Sequence, residues 1–351
     1  MSQRTTIEWC NTTWNPTRGC SRVSEGCRNC YAERIAARFA VRREPVPRVE
    51  GGEVVFDHAA TFAGFAEMTL KGPRWTGRVE LIEDKLDEPL RWKKPRRVFV
   101  NSMSDLFHES LPDDAIDRVF AVMAQVPKHD FLVLTKRAER MRGYIGTTDN
   151  REHAVAAVIR EMTGGNHSGL VDWPLPNVWL GVSVEDQPTA DERIQPLLET
   201  PAAKRFVSYE PAIEPVNFHK YVWKHHDDPP VRLPDGTERA IAWAEKGGID
   251  QIIVGGESGP GARPFDIAWA RSTIKQCREA GVACFVKQLG ARPFAVDGSV
   301  DAKNWAFCTG FMDDLGGIHL KSRKGGDMQE WPEVLRVREF PSRSGSLPGG
   351  R

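Results

Sequence analysis

Cysteine is scarce in this chain: there are seven in 351 residues, an odd number, and three of them fall within one short stretch. Odd and clustered cysteines argue against a disulfide framework and, in a reducing compartment, point to metal or redox chemistry. No apolar run reaches membrane-spanning length, and the opening MSQRTTIEWCNTTWNP lacks the basic-then-apolar layout of a secretory signal. We therefore expect a cytoplasmic protein with no membrane partner. Net charge is absent too, with 48 basic residues against 48 acidic, so the molecule as a whole exerts no electrostatic pull on nucleic acid. Any such pull must be local. Residues 1–50 hold nine Arg and no Lys against five Glu and no Asp, and RWKKPRR covers Arg91 to Arg97. Short basic runs of this kind also serve as plain solvated faces.

What is present suffices for a large globular core, since 40% of the residues are hydrophobic. Short apolar, β-branched or aromatic runs recur in RRVFVNSMSD, HDFLVLTKR, PNVWLGVSVED, AKRFVSYEPA, DQIIVGGESG and GVACFVKQLG, with helical stretches between them. Their near-continuous hydrophobicity suits parallel strands covered on both faces. LPDDAIDRVFAVMAQV predicts a helix opening at Pro112 with two acids in its first turn, and DIAWARSTIKQCREA one capped by Asp266 and closed by Gly281. Strand then helix, repeated, implies an α/β fold, a partial (β/α) barrel over residues 1–290. Residues 41–85 read as an insertion after the first helix, 213–249 include a polar surface loop, and 291–351 form an irregular C-terminal extension with a disordered end.

The cysteine loop spans residues 15–38, NPTRGCSRVSEGCRNCYAERIAAR, and places Cys20, Cys27 and Cys30 in a C-x6-C-x2-C pattern. Two residues between the last pair close a tight turn around a metal-sized object, and three soft ligands suit zinc with a fourth partner or an iron-sulfur cluster with one iron left open. Spacing alone leaves both open. Cys277 and Cys284, around Gly281, read as core filling. Cys10 is placed on the first strand.

NPTRGC, CRNCYAERIAAR, NSMSDLFHE and LVLTKRAERM resemble the cluster-binding and strand-end segments of radical S-adenosylmethionine enzymes, in the subgroup of spore photoproduct lyase and DNA-repair-photolyase-like proteins. With RWKKPRRVFVNSMSDLFHE, VWLGVSVEDQ, GGESGPGARP and WPEVLRVREFP, the chain is still more similar to the phage gene-product 37/68 family, which carries the three-cysteine signature. Here six residues separate the first two cysteines where such radical enzymes usually have three, and Asn29 precedes the third where they have an aromatic; Tyr31 follows it. The resemblance implies a radical SAM type of barrel, with a 4Fe-4S cluster on Cys20, Cys27 and Cys30 and S-adenosyl-L-methionine chelating the open iron. One electron from a donor protein would then generate a 5'-deoxyadenosyl radical. It also implies a nucleic acid or nucleotide as substrate. The alternative is a non-enzymatic iron-sulfur or zinc protein acting through a three-Cys-motif partner protein.

In a βα barrel the carboxyl ends of the strands share one mouth. A charged residue follows each of the six runs: Asp105, Lys136, Glu185, Glu210, Glu257 and Lys287. We expect the early members Asp105, Lys136 and Glu185, with Tyr31, Ser102 and Ser183, to hold the cofactor, and Glu210, Glu257 and Lys287 to act on substrate. GGESGPGARP around Glu257 reads equally as a tight turn after a strand.

Overall fold

The computed structural model describes residues 5–40, 46–50, 53–57, 61–146, 148–222, 231–232, 238–239, 248–295, 311–312 and 317–341. The chain divides into two compact units, Met1–Val178 and Trp179–Arg351.

The first unit contains β1 (Thr12–Trp14), α1 (Tyr31–Ala40), β2 (Arg97–Val100), α2 (Asp113–Gln125), β3 (Asp130–Thr135), α3 (Ala138–Gly146) and α4 (Thr148–Met162). β1 pairs with β2 and β2 with β3, both parallel, Thr12 opposite Val98 and Val98 opposite Phe131. Val98, Val100, Phe131 and Val133 are wholly buried, as continuous apolar strands require. α2 begins where Pro112 and its two acids place it and buries Ile116, Val119, Phe120 and Met123. The expected insertion follows α1 as two antiparallel hairpins, Val46–Glu50 with Glu53–Asp57 and Ala66–Thr69 with Gly72–Trp75. α1 turns a face of small side chains inward, so Ala36 and Ala37 pack directly on Phe62, Phe65 and Ala66. Cys10 lies just ahead of β1, not on it.

β4 (Val178–Val184), whose first residue closes the first unit, leads into α5 (Gln187–Glu199), β5 (Lys204–Tyr209), β6 (Gln251–Gly255), α6 (Ile267–Ala280) and β7 (Ala283–Gln288). The pairs β4–β5, β5–β6 and β6–β7 are parallel and follow chain order. A capping box between Asp186 and Thr189 starts α5. Asp266 accepts from the Ala268 N–H at 2.8 Å to start α6, and Gly281, at φ 66°, ends it in the left-handed region that a side chain would resist. Cys277 and Cys284 meet across that turn, both fully buried, as core filling requires.

The fold is thus mixed α/β with parallel strands and intervening helices. The extension is irregular, yet residues 317–341 are bound to β7: Val286 donates to the Val337 carbonyl at 2.8 Å, and Glu339 to that of Cys284 at 2.8 Å. Trp331 is fully buried there. Cys308, most of the 223–247 loop and the last ten residues lie outside the described residues. Among the described residues no helix is long and apolar enough to cross a membrane.

Candidate functional site

The cysteine loop is held at the carboxyl ends of β1 and β2. Asn15 Oδ1 accepts from Ser102 Oγ at 3.1 Å and from the Met103 N–H at 3.0 Å. Thr17 Oγ1 and Ser104 Oγ are 2.8 Å apart, and Thr17–Arg18 pairs with Glu80–Leu81. Gly19 sits between, at φ 96°, where a Cβ would lie 1.9 Å from the Arg78 carbonyl oxygen; no other residue fits that approach. The C-x2-C half closes as expected, a short 3-10 turn over Glu25–Cys27 running into α1, with Cys30 at the helix start accepting from Arg34 N–H at 3.2 Å.

All three loop cysteines are half-buried thiols. Burial, with the Asp105 carboxylate adding to it, pushes Cys20 up to about 12, and the charges of Cys27 and Cys30 push the same way. Cys30 is also raised: burial outweighs the Glu33 and Ala32 backbone N–H groups that favour its thiolate. The three thiols are near enough to influence one another electrostatically. Among the described residues, however, no group of three or more His, Cys, Asp and Glu is disposed to hold a metal ion. The donor set is right in kind for a soft metal or cluster, and the loop would have to draw its thiols together around it.

Arg137 is the hub beside this loop. Its guanidinium is buried, donating to Asp105 Oδ2 at 3.0 Å, to Ser21 O at 3.3 Å and Oγ at 2.8 Å, and to Cys20 Sγ at 3.9 Å, and it pairs with Glu109. Burial alone would lower its pKa; Asp105, Cys20 and Glu109 more than reverse that, so the cation is permanent. Asp105 is filled by Arg137, by Thr135 Oγ1 at 2.7 Å and by the N–H groups of Phe107 and Lys136. His108 accepts from Ser110 N–H on Nδ1 at 3.1 Å, so its Nε2 carries the proton and donates to Ser21 Oγ at 2.9 Å. Burial, then Arg137, lowers its pKa and keeps it neutral.

The strand-end expectation singled out Lys136, yet Lys136 meets Asp105 through its backbone, and the side chains that reach Asp105 are those of Thr135 and Arg137. A period of two along the strand end was the available signal. Ser21, His108 and Glu109 carried none. Tyr31 and Ser102 do meet, the Tyr31 hydroxyl donating to the Ser102 carbonyl at 2.6 Å.

In the second unit each expected carboxylate has its own cation. Glu185 and Arg193 form a fully buried pair at 3.0 Å. Glu257 takes the N–H, Nε and Nη2 of Arg263, closing GGESGPGARP on itself, the tight-turn reading. Glu210 and Lys287 pair at 3.0 Å with partial exposure. Ser183 Oγ donates to the Glu210 carbonyl at 3.1 Å, and Ser208 Oγ lies 3.4 Å from Glu210 Oε2. A Cβ at Gly255 would stand 2.6 Å from Glu210 Oε1, so this glycine makes room for the carboxylate.

A family model described as a protein of unknown function, DUF5131, matches residues 4–316. The chain belongs to the DUF5131 family. No curated protein and no solved structure matches it.

Proposed function

We propose that this chain is an iron-sulfur protein of the radical S-adenosylmethionine type, cytoplasmic, taking one electron from a donor protein and acting on a nucleic acid or nucleotide. What supports the reading is the loop that carries the three cysteines, held at the ends of β1 and β2 by Asn15 and Thr17, with the Arg137 cation 3.9 Å from Cys20 Sγ and the Cys27–Cys30 turn closing into α1. When bound, the cluster would supply the electron that cleaves the sulfonium. The chain's own part is to bind and orient: Cys20, Cys27 and Cys30 exchange their protons for the metal, and Arg137 offsets the negative charge that results. Tyr31 and Ser102, tied together next to Cys30, are the nearest candidates for holding the cofactor. Glu210 and Lys287, partly exposed at the ends of β5 and β7, are the candidates for moving a proton on substrate.

Anaerobic reconstitution with iron and sulfide, then incubation with S-adenosylmethionine and reductant, tests the proposal. It stands if iron and sulfide are retained and 5'-deoxyadenosine forms. A retained cluster without that product favours a binding protein that works through a partner, and loss of iron ends both iron-sulfur readings and leaves only the zinc protein.

A further inference from the structure

α1 presents the wrong face to water. Its buried side is Ala32, Glu33, Ala36 and Ala37, while Tyr31, Ile35 and Phe39 stand one turn apart on the outside, 44%, 41% and 47% exposed. Three large apolar side chains in register on one solvent face form an exposed contact row. Arg34 and Arg38 run beside that row, with Arg28 in the turn before it. The one acid of the helix, Glu33, is 1% exposed and committed to Arg22 and the Trp75 N–H. Among the described residues Arg28, Arg34 and Arg38 have no acidic partner, whereas other surface arginines of this unit do: Arg78 with Glu80, Arg91 with Asp87, Arg118 with Glu83, Arg142 with Glu139.

We infer that this face binds single-stranded nucleic acid, an inference that rests on the proposed nucleic-acid reading and places its contact surface. Charge complementarity calls for an anionic partner and disfavours symmetric pairing of this face with a second copy, which would set arginine against arginine. Arginine forks match phosphate oxygens, and a rim made of arginine alone suits a repeating phosphate backbone. Tyr31 and Phe39 bracket the row as stacking surfaces, and the Tyr31 hydroxyl bond to Ser102 O holds its ring in place. Bases in a duplex are already stacked, so the rings select an unpaired strand. In the other basic run, Arg91 is paired with Asp87 and Arg96 lies over the Trp92 ring at 4.8 Å.

The test is fluorescence anisotropy of labelled oligothymidylate with the full-length chain before any iron is added, over a range of salt. Cluster loss and loss of strand binding are thereby read separately. The chain is expected to bind with a log-log salt slope of about −2, from about 0.7 per neutralised phosphate over three arginines. Replacing Arg28, Arg34 and Arg38 together by Gln should remove most of that slope. Phe39→Ala should weaken binding about tenfold, Phe39→Trp should restore it, and Arg91→Gln should change neither. Circular dichroism melting should be unchanged in all, since these side chains are on the surface. Absence of binding at low salt, a slope that survives the triple substitution, or equal affinity for a duplex overturns the inference, and an acidic helical peptide that binds in place of the strand reassigns the surface.

Discussion

The Nη1 atom of Arg137 lies 3.9 Å from Cys20 Sγ and 3.0 Å from Asp105 Oδ2, so one buried guanidinium ties the cysteine loop to the ends of β2 and β3. Arg137→Ala leaves Asp105 buried without its counter-charge and should cost about 3–5 kcal/mol in urea unfolding. Arg137→Lys keeps the charge but cannot span the same acceptors, and should fall between. A loss below about 1 kcal/mol for the alanine variant would mean the hub carries no structural weight.

Serine at Cys20, Cys27 or Cys30 should abolish the broad visible absorption of the reconstituted protein, because each thiolate has no substitute in the loop. Serine at Cys10, Cys277, Cys284 or Cys308 should leave it intact. Iron and sulfide analysis decides, and a triple loop variant that keeps its iron sinks the assignment.

His108 and His129 set a pH dependence. Burial lowers both below the ordinary value of 6.5, with Arg137 adding to it at His108 and Lys128 at His129. The unfolded chain therefore takes up protons first as pH falls. The stabilisation is present in full above 6.5 and is lost as pH falls from there toward the folded values. Melting temperature should decline across that window. His108→Gln should flatten the decline; an unchanged decline in that variant would assign it to other groups.

Gly19→Ala forces a Cβ against the Arg78 carbonyl in a backbone region that disfavours side chains. It should destabilise the first unit by about 2–4 kcal/mol and, by shifting the loop, reduce iron uptake under reconstitution. A normal melt with normal iron content would show that the turn can rearrange freely.

Lys287→Met leaves the Glu210 carboxylate without its cation at the end of β5. Cluster content and S-adenosylmethionine affinity should hold while substrate turnover falls by about a hundredfold. Calorimetric loss of cofactor affinity in this variant would move Lys287 from substrate to cofactor.

Much of the secondary structure was legible because its causes are local. RVFV, FLVL and FVSY are continuous apolar runs that only a two-sided burial explains, and Pro112, Asp266 and Gly281 mark helix ends by their own backbone chemistry. The tight turn through Cys27 and Cys30 into α1 was legible from spacing. The partners of the charges were not. With 27% of the chain charged, nothing local says that Asp105 takes Arg137, that Glu185 takes Arg193 or that Glu257 turns back on Arg263. Those choices depend on which side chains the packed strands bring within hydrogen-bond reach, and desolvation makes each buried carboxylate take a cation. The same holds for α1: its sequence shows an amphipathic helix, but only the hairpin packed on Ala36 and Ala37 decides that the alanines face inward and that Tyr31, Ile35 and Phe39 are left to the solvent.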